Sequence, residues 1–386
     1  MRIAMLAWES MHSIWIGGLG VVVSKLSEEL AKRGHEVHLF TRWVEGQEEH
    51  QELGGVYYHR CKFDPGRDLF SLTRNMSHAM VAALRWVEGR EGRFDLIHGH
   101  DWHVVEALHL LRQEGRRLVF TYHSTEYGRN GNRFGDWWEF REVSGKEWYG
   151  GYLADRVTTV SASMKREVCW LYRLPEEKVE VVPNAVVAEE FRREVDSERV
   201  RGEYGLSSGP LVLFPGRLEY QKGPDLLLEA VPRVLERRGE TRFAFTGTGS
   251  MRGSLEGRAR ELGVGHAVRF VGFLPLQRYV ELLNACDLVC IPSRNEPFGI
   301  VLLEAWAAGK PVVATGVGGL DENLENLVEG VKVSPQPDSL AWGINYLLDS
   351  PSERERMARN AREKVRQFTW SRSADRLLSV YRSVLS

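Results

Sequence analysis

One rhythm, read twice, limits this chain of 386 residues more than any other feature. A short apolar run, a glycine-bearing loop and a helix follow one another from Arg2-Ile3-Ala4-Met5-Leu6-Ala7, and the same order restarts at Leu211-Val212-Leu213-Phe214. Runs without polar alternation read as strands buried on both faces, the mark of a parallel sheet. The first helix has an apolar face of Val22, Val23, Leu26, Leu30 and Ala31 and leads to Val37-His38-Leu39-Phe40, a βαβ opening after a loop over 8–16. Two such starts predict an α/β chain of two Rossmann-like domains with parallel sheets facing a central cleft. The expected boundaries are 1–185 and 210–369, with the charged, strand-poor 186–209 as a linker. A last amphipathic helix over 370–386 places Trp370, Ala374, Leu377, Leu378 and Tyr381 on one side.

Composition narrows the class. With 43% hydrophobic and 27% charged residues and a net charge of −2, the chain reads as globular and gives no reason to expect nucleic acid as a partner. Its apolar runs fall well short of the roughly 20 residues of a membrane helix, so no transmembrane segment is expected. The N-terminus enters a strand without a leader pattern, which makes a cytoplasmic protein the default. Cys61, Cys169, Cys286 and Cys290 are too few and scattered for a disulfide framework and read as small core residues.

The most informative stretch is Asn295-Glu296-Pro297-Phe298-Gly299-Ile300-Val301-Leu302-Leu303-Glu304-Ala305-Trp306. An apolar run over 288–292 precedes it, so it reads strand, loop and then a helix starting near Phe298 or Gly299. A helix start offers unpaired amides and the positive end of the macrodipole, which suits a diphosphate held by the backbone of Gly299, Ile300 and Val301. Glycine at 299 lets the anion approach closely. Glu296, outside the helix, suits hydroxyls on whatever the diphosphate carries. Glu304, a turn inside, suits two vicinal ribose hydroxyls. Two carboxylates flanking a phosphate site describe a nucleotide-sugar pocket, although acidic residues at helix starts also serve simply as dipole partners.

Other strand ends add candidates. Asp95-Leu96-Ile97-His98-Gly99-His100-Asp101-Trp102-His103 closes an apolar strand on three histidines, and His123 follows the run Leu118-Val119-Phe120-Thr121-Tyr122. Ligands of open α/β sheets sit at such carboxyl ends. The histidine spacing lacks a further zinc-ligand pattern, leaving structural or sugar-contacting roles. Residues 127–150 combine glycines with Trp137, Trp138, Phe140 and Trp148; the pattern suits a mobile wall that stacks on sugar rings, or a surface helix pair with inward tryptophans. Arg217 and Lys222 lie five apart on the loop after the second strand start and can address one anion. Gly17 and Gly18 open the first helix without forming a dinucleotide fingerprint.

Taken together, Glu296 and Glu304 resemble the E-x7-E element of retaining GT-B glycosyltransferases of family 4, the glycogen- and starch-synthase-like group. The continuation Gly309-Lys310-Pro311-Val312-Val313-Ala314-Thr315 with Gly318-Gly319 is similar too, as are His100-Asp101-Trp102-His103 and the R-x4-K spacing of Arg217 and Lys222. Asn184-Ala185 stands where that family usually has Asn-Gly.

The resemblance implies a hexosyl, more specifically glucosyl, transfer from a nucleoside-diphosphate sugar such as UDP- or ADP-glucose. The acceptor would be a carbohydrate or small hydroxyl compound such as an α-glucan or glucoside. In the family pattern Arg217 and Lys222 grip the departing diphosphate, His100 meets the sugar's primary hydroxyl, and Gly17 and Gly18 close over the phosphates. Leu274 lies near the base, and the terminal helix returns to the first domain. The absence of any Asp-x-Asp points to metal-independent chemistry with no cofactor required. An epimerase or phosphorylase of the same fold, and a silent sugar-nucleotide-binding protein, are the alternatives.

Overall fold

The computed structural model describes residues 1–14, 17–207 and 209–386. Trp15 and Ile16, in the loop expected over 8–16, and Ser208, in the expected linker, lie outside the described residues. The chain forms two compact units. One comprises Met1–Glu126, Phe134–Ala185 and Trp370–Ser386; the other comprises Tyr127–Arg133 and Val186–Thr369.

The first unit is built on an eight-stranded sheet. Its strands are β1 (Arg2–Ala7), β2 (Glu36–Arg42), β3 (His50–Leu53), β4 (Val56–Cys61), β5 (Leu96–His100), β6 (Leu118–Tyr122), β7 (Arg156–Thr159) and β8 (Val179–Val181). The order is β3-β4-β2-β1-β5-β6-β7-β8. Every pairing is parallel except the β3–β4 hairpin, which the sequence reading missed because His50-Gln51-Glu52-Leu53 has no apolar run to announce it. β1 and β5 are neighbours in register Ala7↔His100, and chain order reverses between them. That makes their carboxyl ends the switch point at which ligands bind in such sheets. The terminal helix Trp370–Leu385 packs on the helix Gly18–Lys32, with the Tyr381 hydroxyl 2.7 Å from His98 Nδ1.

The second unit has a six-stranded, all-parallel sheet. Its strands are β9 (Leu211–Pro215), β10 (Arg242–Thr246), β11 (Val268–Gly272), β12 (Leu288–Ile291), β13 (Val312–Thr315) and β14 (Gly330–Val333), in the order β11-β10-β9-β12-β13-β14. Here the switch lies between β9 and β12. The stretch 186–209, read as a linker, instead carries short helices Ala188–Phe191 and Ser197–Glu203 that pack on the helices Ile300–Ala307 and Leu276–Ala285. Phe191 and Val200 are the apolar anchors that hold them there. Beyond β13 the chain forms the short helix Gly318–Asn323.

Residues 127–150 differ most from expectation. The helix Trp138–Leu153 runs through Gly145, Gly150 and Gly151, so these three are not hinges. A Cβ on Gly150 would lie 2.8 Å from the Phe120 ring, and one on Gly151 would lie 2.4 Å from the Tyr122 hydroxyl. These two positions are glycine so that the helix can lie close on β6. The tryptophans do not point inward either: Trp137, Trp138 and Trp148 are all exposed. Among the described residues no helix is long and apolar enough to cross a membrane.

Candidate functional site

In the second unit the carboxyl ends of β9 and β12 bring four of the expected residues together. β12 runs into Pro292 and the loop holding Glu296, then the helix Ile300–Ala307 begins with Gly299 as its N-cap at φ 93°. That left-handed conformation suits glycine alone among common residues. By position in the helix, the amides of Ile300 and Val301 have no acceptor within it.

The loop is held from below by two glycines. The Gly319 amide donates to the Glu296 carbonyl at 2.7 Å, and a Cβ on Gly319 would fall 2.4 Å from the Phe298 Cα. The Gly318-Gly319 pair thus lets a second backbone lie against the one that presents Glu296. Phe298 itself is buried and packs edge-on to Phe368, leaving only its backbone for a ligand.

Lys222 follows β9 on the loop that also carries Arg217. Its Nζ stands 2.7 Å from Glu296 Oε2, and the Ser293 hydroxyl donates to the same oxygen at 3.1 Å. Arg217 is exposed and makes no hydrogen bond or ion pair among the described residues. Glu304 is the only charged side chain in Ile300–Ala307, an otherwise apolar helix. Desolvation pushes its carboxyl up to about 7, although the Tyr279 hydroxyl donates to it at 2.8 Å and partly offsets that effect. Leu274 is half-buried just beyond β11, at the sheet edge.

The first unit gathers a second set. His100 is wholly buried at the end of β5. Its Nδ1 lies 3.0 Å from His123 Nε2, while its Nε2 is buried with no hydrogen-bond partner among the described residues. Burial holds its pKa well below the usual imidazole range, and neighbouring histidines push the same way. A neutral ring leaves one nitrogen of each imidazole to donate and one to accept. His98 is the structural member of the trio: Tyr381 and Thr121 take both its nitrogens, and burial lowers it to about 3. Among the described residues the three do not form a metal-binding cluster.

Asp101 follows with φ 59° and ψ 170°, a conformation essentially confined to glycine. Its Oδ1 accepts the His123 amide at 2.7 Å. Such strain persists where surrounding structure enforces it, and it marks this strand end.

The glycine pair stands at the first helix start as expected, Gly17 as the N-cap and Gly18 as the first helical residue, but a carboxylate already meets that start. The amides of Gly17 and Gly20 donate at 3.1 and 3.0 Å to the buried carboxylate of Glu9. A side-chain anion already meets this helix dipole, so a phosphate would find only the amides that Glu9 leaves, that of Gly18 among them. Trp137 and Trp138 sit on the surface against Phe140 and Phe70. The residues that sequence reasoning missed are Glu9, Ser293, Tyr279 and the strained Asp101. Tyr279 and Asp101 act through partners 25 and 22 residues away, and Glu9 and Ser293 act on nearer groups that only the folded loops turn toward them.

Comparison with known proteins identifies the family and the fold. The profile of the group 1 glycosyl transferases matches residues 196–364, and that of glycosyltransferase family 4 matches residues 16–190. An uncharacterized glycosyltransferase of Methanocaldococcus jannaschii is 36% identical, covering 99% of this chain and 98% of its own. The glycogen synthase of Mycobacterium tuberculosis is 34% identical, covering 99% and 94%. The catalytic domain of starch synthase IV from Arabidopsis thaliana, bound to ADP and acarbose, superposes with a TM-score of 0.79 at 19% identity, over 100% of this chain and 99% of that one. This last match is a likeness of fold.

Proposed function

We propose that this chain, which belongs to the family 4 glycosyltransferases of the GT-B fold, transfers a hexosyl unit, by preference glucosyl, from a nucleoside-diphosphate sugar to a hydroxyl acceptor with retention at the anomeric carbon. The observation that carries the reading is the convergence of Lys222, Glu296 and an open helix start at the switch point of the second sheet.

In this reading Lys222, Arg217 and the amides of Ile300 and Val301 take up charge as the anomeric C–O bond to the diphosphate breaks. Fixed donors of this kind stabilise a leaving oxyanion without reorganising, and they remove the need for a bridging metal. Glu296 accepts from the sugar's distal hydroxyls and Glu304, once ionised, from the ribose. His100 offers Nε2 to the primary hydroxyl, with its ring held by His123.

No carboxylate of this set is assigned as a nucleophile. The departing phosphate oxygen would accept the acceptor's proton on the face it leaves, so the new bond forms where the old one broke. The N-terminal unit is assigned to the acceptor and the C-terminal unit to the donor, UDP- or ADP-glucose first. A screen of UDP-, ADP- and GDP-sugars, with the product's anomeric configuration read by NMR, tests the proposal. An inverted product, or donor consumption that chelators abolish, would refute it.

A further inference from the structure

We propose that the first unit carries an oxyanion pocket at the carboxyl ends of β2 and β4, built on Arg42, which takes a phosphate or carboxylate group of the acceptor. The inference rests on the acceptor role assigned above to this unit and narrows the acceptor to a small anionic molecule.

Arg42 is the last residue of β2 and pairs in register with Cys61, the last of β4; Arg60, one residue earlier on β4, pairs with Thr41. Both arginines are buried, at 7% and 3% exposure, and neither has a carboxylate within ion-pair distance among the described residues. Two cations taken out of water without counter-charges are costly unless other groups meet their donors. Arg60 is so met: it donates to the carbonyls of His12 and Glu48, both at 2.8 Å, and to Gln51 Oε1 at 3.0 Å.

Arg42 is different. Its Nε donates to the Trp8 carbonyl at 2.6 Å and its guanidinium carbon lies 3.4 Å from the centre of the Trp8 ring, but its Nη2 is buried with no acceptor among the described residues. Being screened from solvent, this nitrogen cannot be satisfied by bulk water. Burial pulls the guanidinium down to about 10, an effect that attraction to Glu9 only partly offsets. Glu9 forms no hydrogen-bonded pair with Arg42, and its carboxylate accepts from the Gly17 and Gly20 amides.

Arg116 in the same unit is a fair control. It is equally buried, and it forks onto both oxygens of Glu88. Arg116 and Arg60 thus have their donors met, the one by a carboxylate and the other by carbonyl and amide oxygens, whereas Arg42 keeps a donor in reserve.

The position also fits a ligand. Carboxyl ends of parallel strands are where open α/β sheets bind their ligands. A guanidinium nitrogen without an acceptor matches a phosphate or carboxylate oxygen better than a neutral hydroxyl, because the charge-assisted bond to an oxyanion is roughly twice as strong.

The test is titration calorimetry of the full chain with glucose, glucose 6-phosphate, glucuronate and inorganic phosphate, repeated on Arg42→Gln and Arg42→Lys. We expect one of the two charged sugars to bind at least tenfold tighter than glucose, with added salt weakening it and not glucose. The phosphorylated and carboxylated sugars distinguish the two anion sources. Arg42→Gln should erase the preference, and Arg42→Lys should keep part of it. Glucose binding as tightly as both charged sugars overturns the proposal, as does an Arg42→Gln chain that is folded by circular dichroism yet retains the preference. Should Arg42→Gln not fold, the comparison on the unsubstituted chain and on Arg42→Lys still decides. Binding is read without donor, so failure of every donor to turn over would count against the transferase reading alone.

Discussion

Lys222 Nζ lies 2.7 Å from Glu296 Oε2, so the side chain assigned to the leaving group and the one assigned to the sugar neutralise each other. The pair is largely shielded, with 22% and 11% of the two side chains exposed. In the proposed reading an arriving diphosphate would draw the ammonium away, and the sugar's hydroxyls would take its place on Glu296. Donor binding would then be an exchange of partners at one pair, without uncovering two bare charges.

Lys222→Ala should lower turnover by about two to three orders of magnitude, the scale for losing one fixed donor to a developing oxyanion. It also strands Glu296, which is only 8% exposed, so the melting temperature should fall. Lys222→Ala combined with Glu296→Gln should recover the melting temperature and not the turnover. Steady-state release of nucleotide and thermal denaturation of the two variants and the unsubstituted chain check this. Near-normal turnover in Lys222→Ala would remove the leaving-group assignment.

If Glu304 meets the ribose as proposed, donor binding should depend on pH. A neutral carboxyl accepts poorly from two ribose hydroxyls, so the donor's KM should fall as pH rises through about 7, where this group ionises. Tyr279→Phe removes the hydrogen bond that favours the charged form and should move the midpoint upward. The same shift acts on stability with the opposite sign. Because the folded pKa is raised from 4.5, the stabilising contribution is complete below about 4.5 and is lost as pH climbs through about 7. Nucleotide should thus raise the melting temperature more at pH 8 than at pH 6. A donor KM that is flat across that range would sink the assignment of Glu304 to the ribose.

Much of this fold could be read from the chain because its strands are buried on both faces. β1, β6 and β9 are largely apolar runs that local pattern alone reveals. The donor-side loop was legible for a related reason: Glu296, Gly299 and Glu304 are tied by the spacing of a single helix start. What stayed hidden depends on contacts that only the fold creates, as with Glu9 beneath the first helix or Tyr279 beside Glu304. Glycine was the main source of misreading, since a helix rich in it looks broken until the surface it lies against is known.

That last point is testable within the helix Trp138–Leu153. Gly145 has nothing within 4 Å of a built Cβ, so Gly145→Ala should follow intrinsic propensity and stabilise by up to about 1 kcal/mol. At Gly150 the same change forces a methyl group onto Phe120 and Val105 at 2.8 and 2.9 Å. Overpacking should reverse the sign and cost about 1–3 kcal/mol. Denaturant melts of the two variants give the comparison, and stabilisation at both positions would show that the helix does not lie on β6 as described.

Asp101 offers a sharper test, because two of its properties pull in different directions. Its φ of 59° and ψ of 170° cost a residue with a side chain about 1–3 kcal/mol relative to glycine. Its carboxylate, however, holds the amide of His123, whose ring sets the orientation of His100. Asp101→Ala keeps the strain and discards the acceptor. Asp101→Gly also discards the acceptor but relaxes the backbone, less the extra entropy that glycine gives the unfolded chain. Asp101→Asn keeps an oxygen acceptor on a side chain that tolerates positive φ. The expected order of melting temperature is therefore the unsubstituted chain and Asn together, then Gly, then Ala, the reverse of the usual ranking of the last two. Turnover should divide differently, with Asn near normal and both Gly and Ala reduced, since each frees the His123 loop. If Ala proves as stable as Gly, the strained conformation is not present in solution; if Gly turns over normally, the carboxylate does not serve to position the histidines.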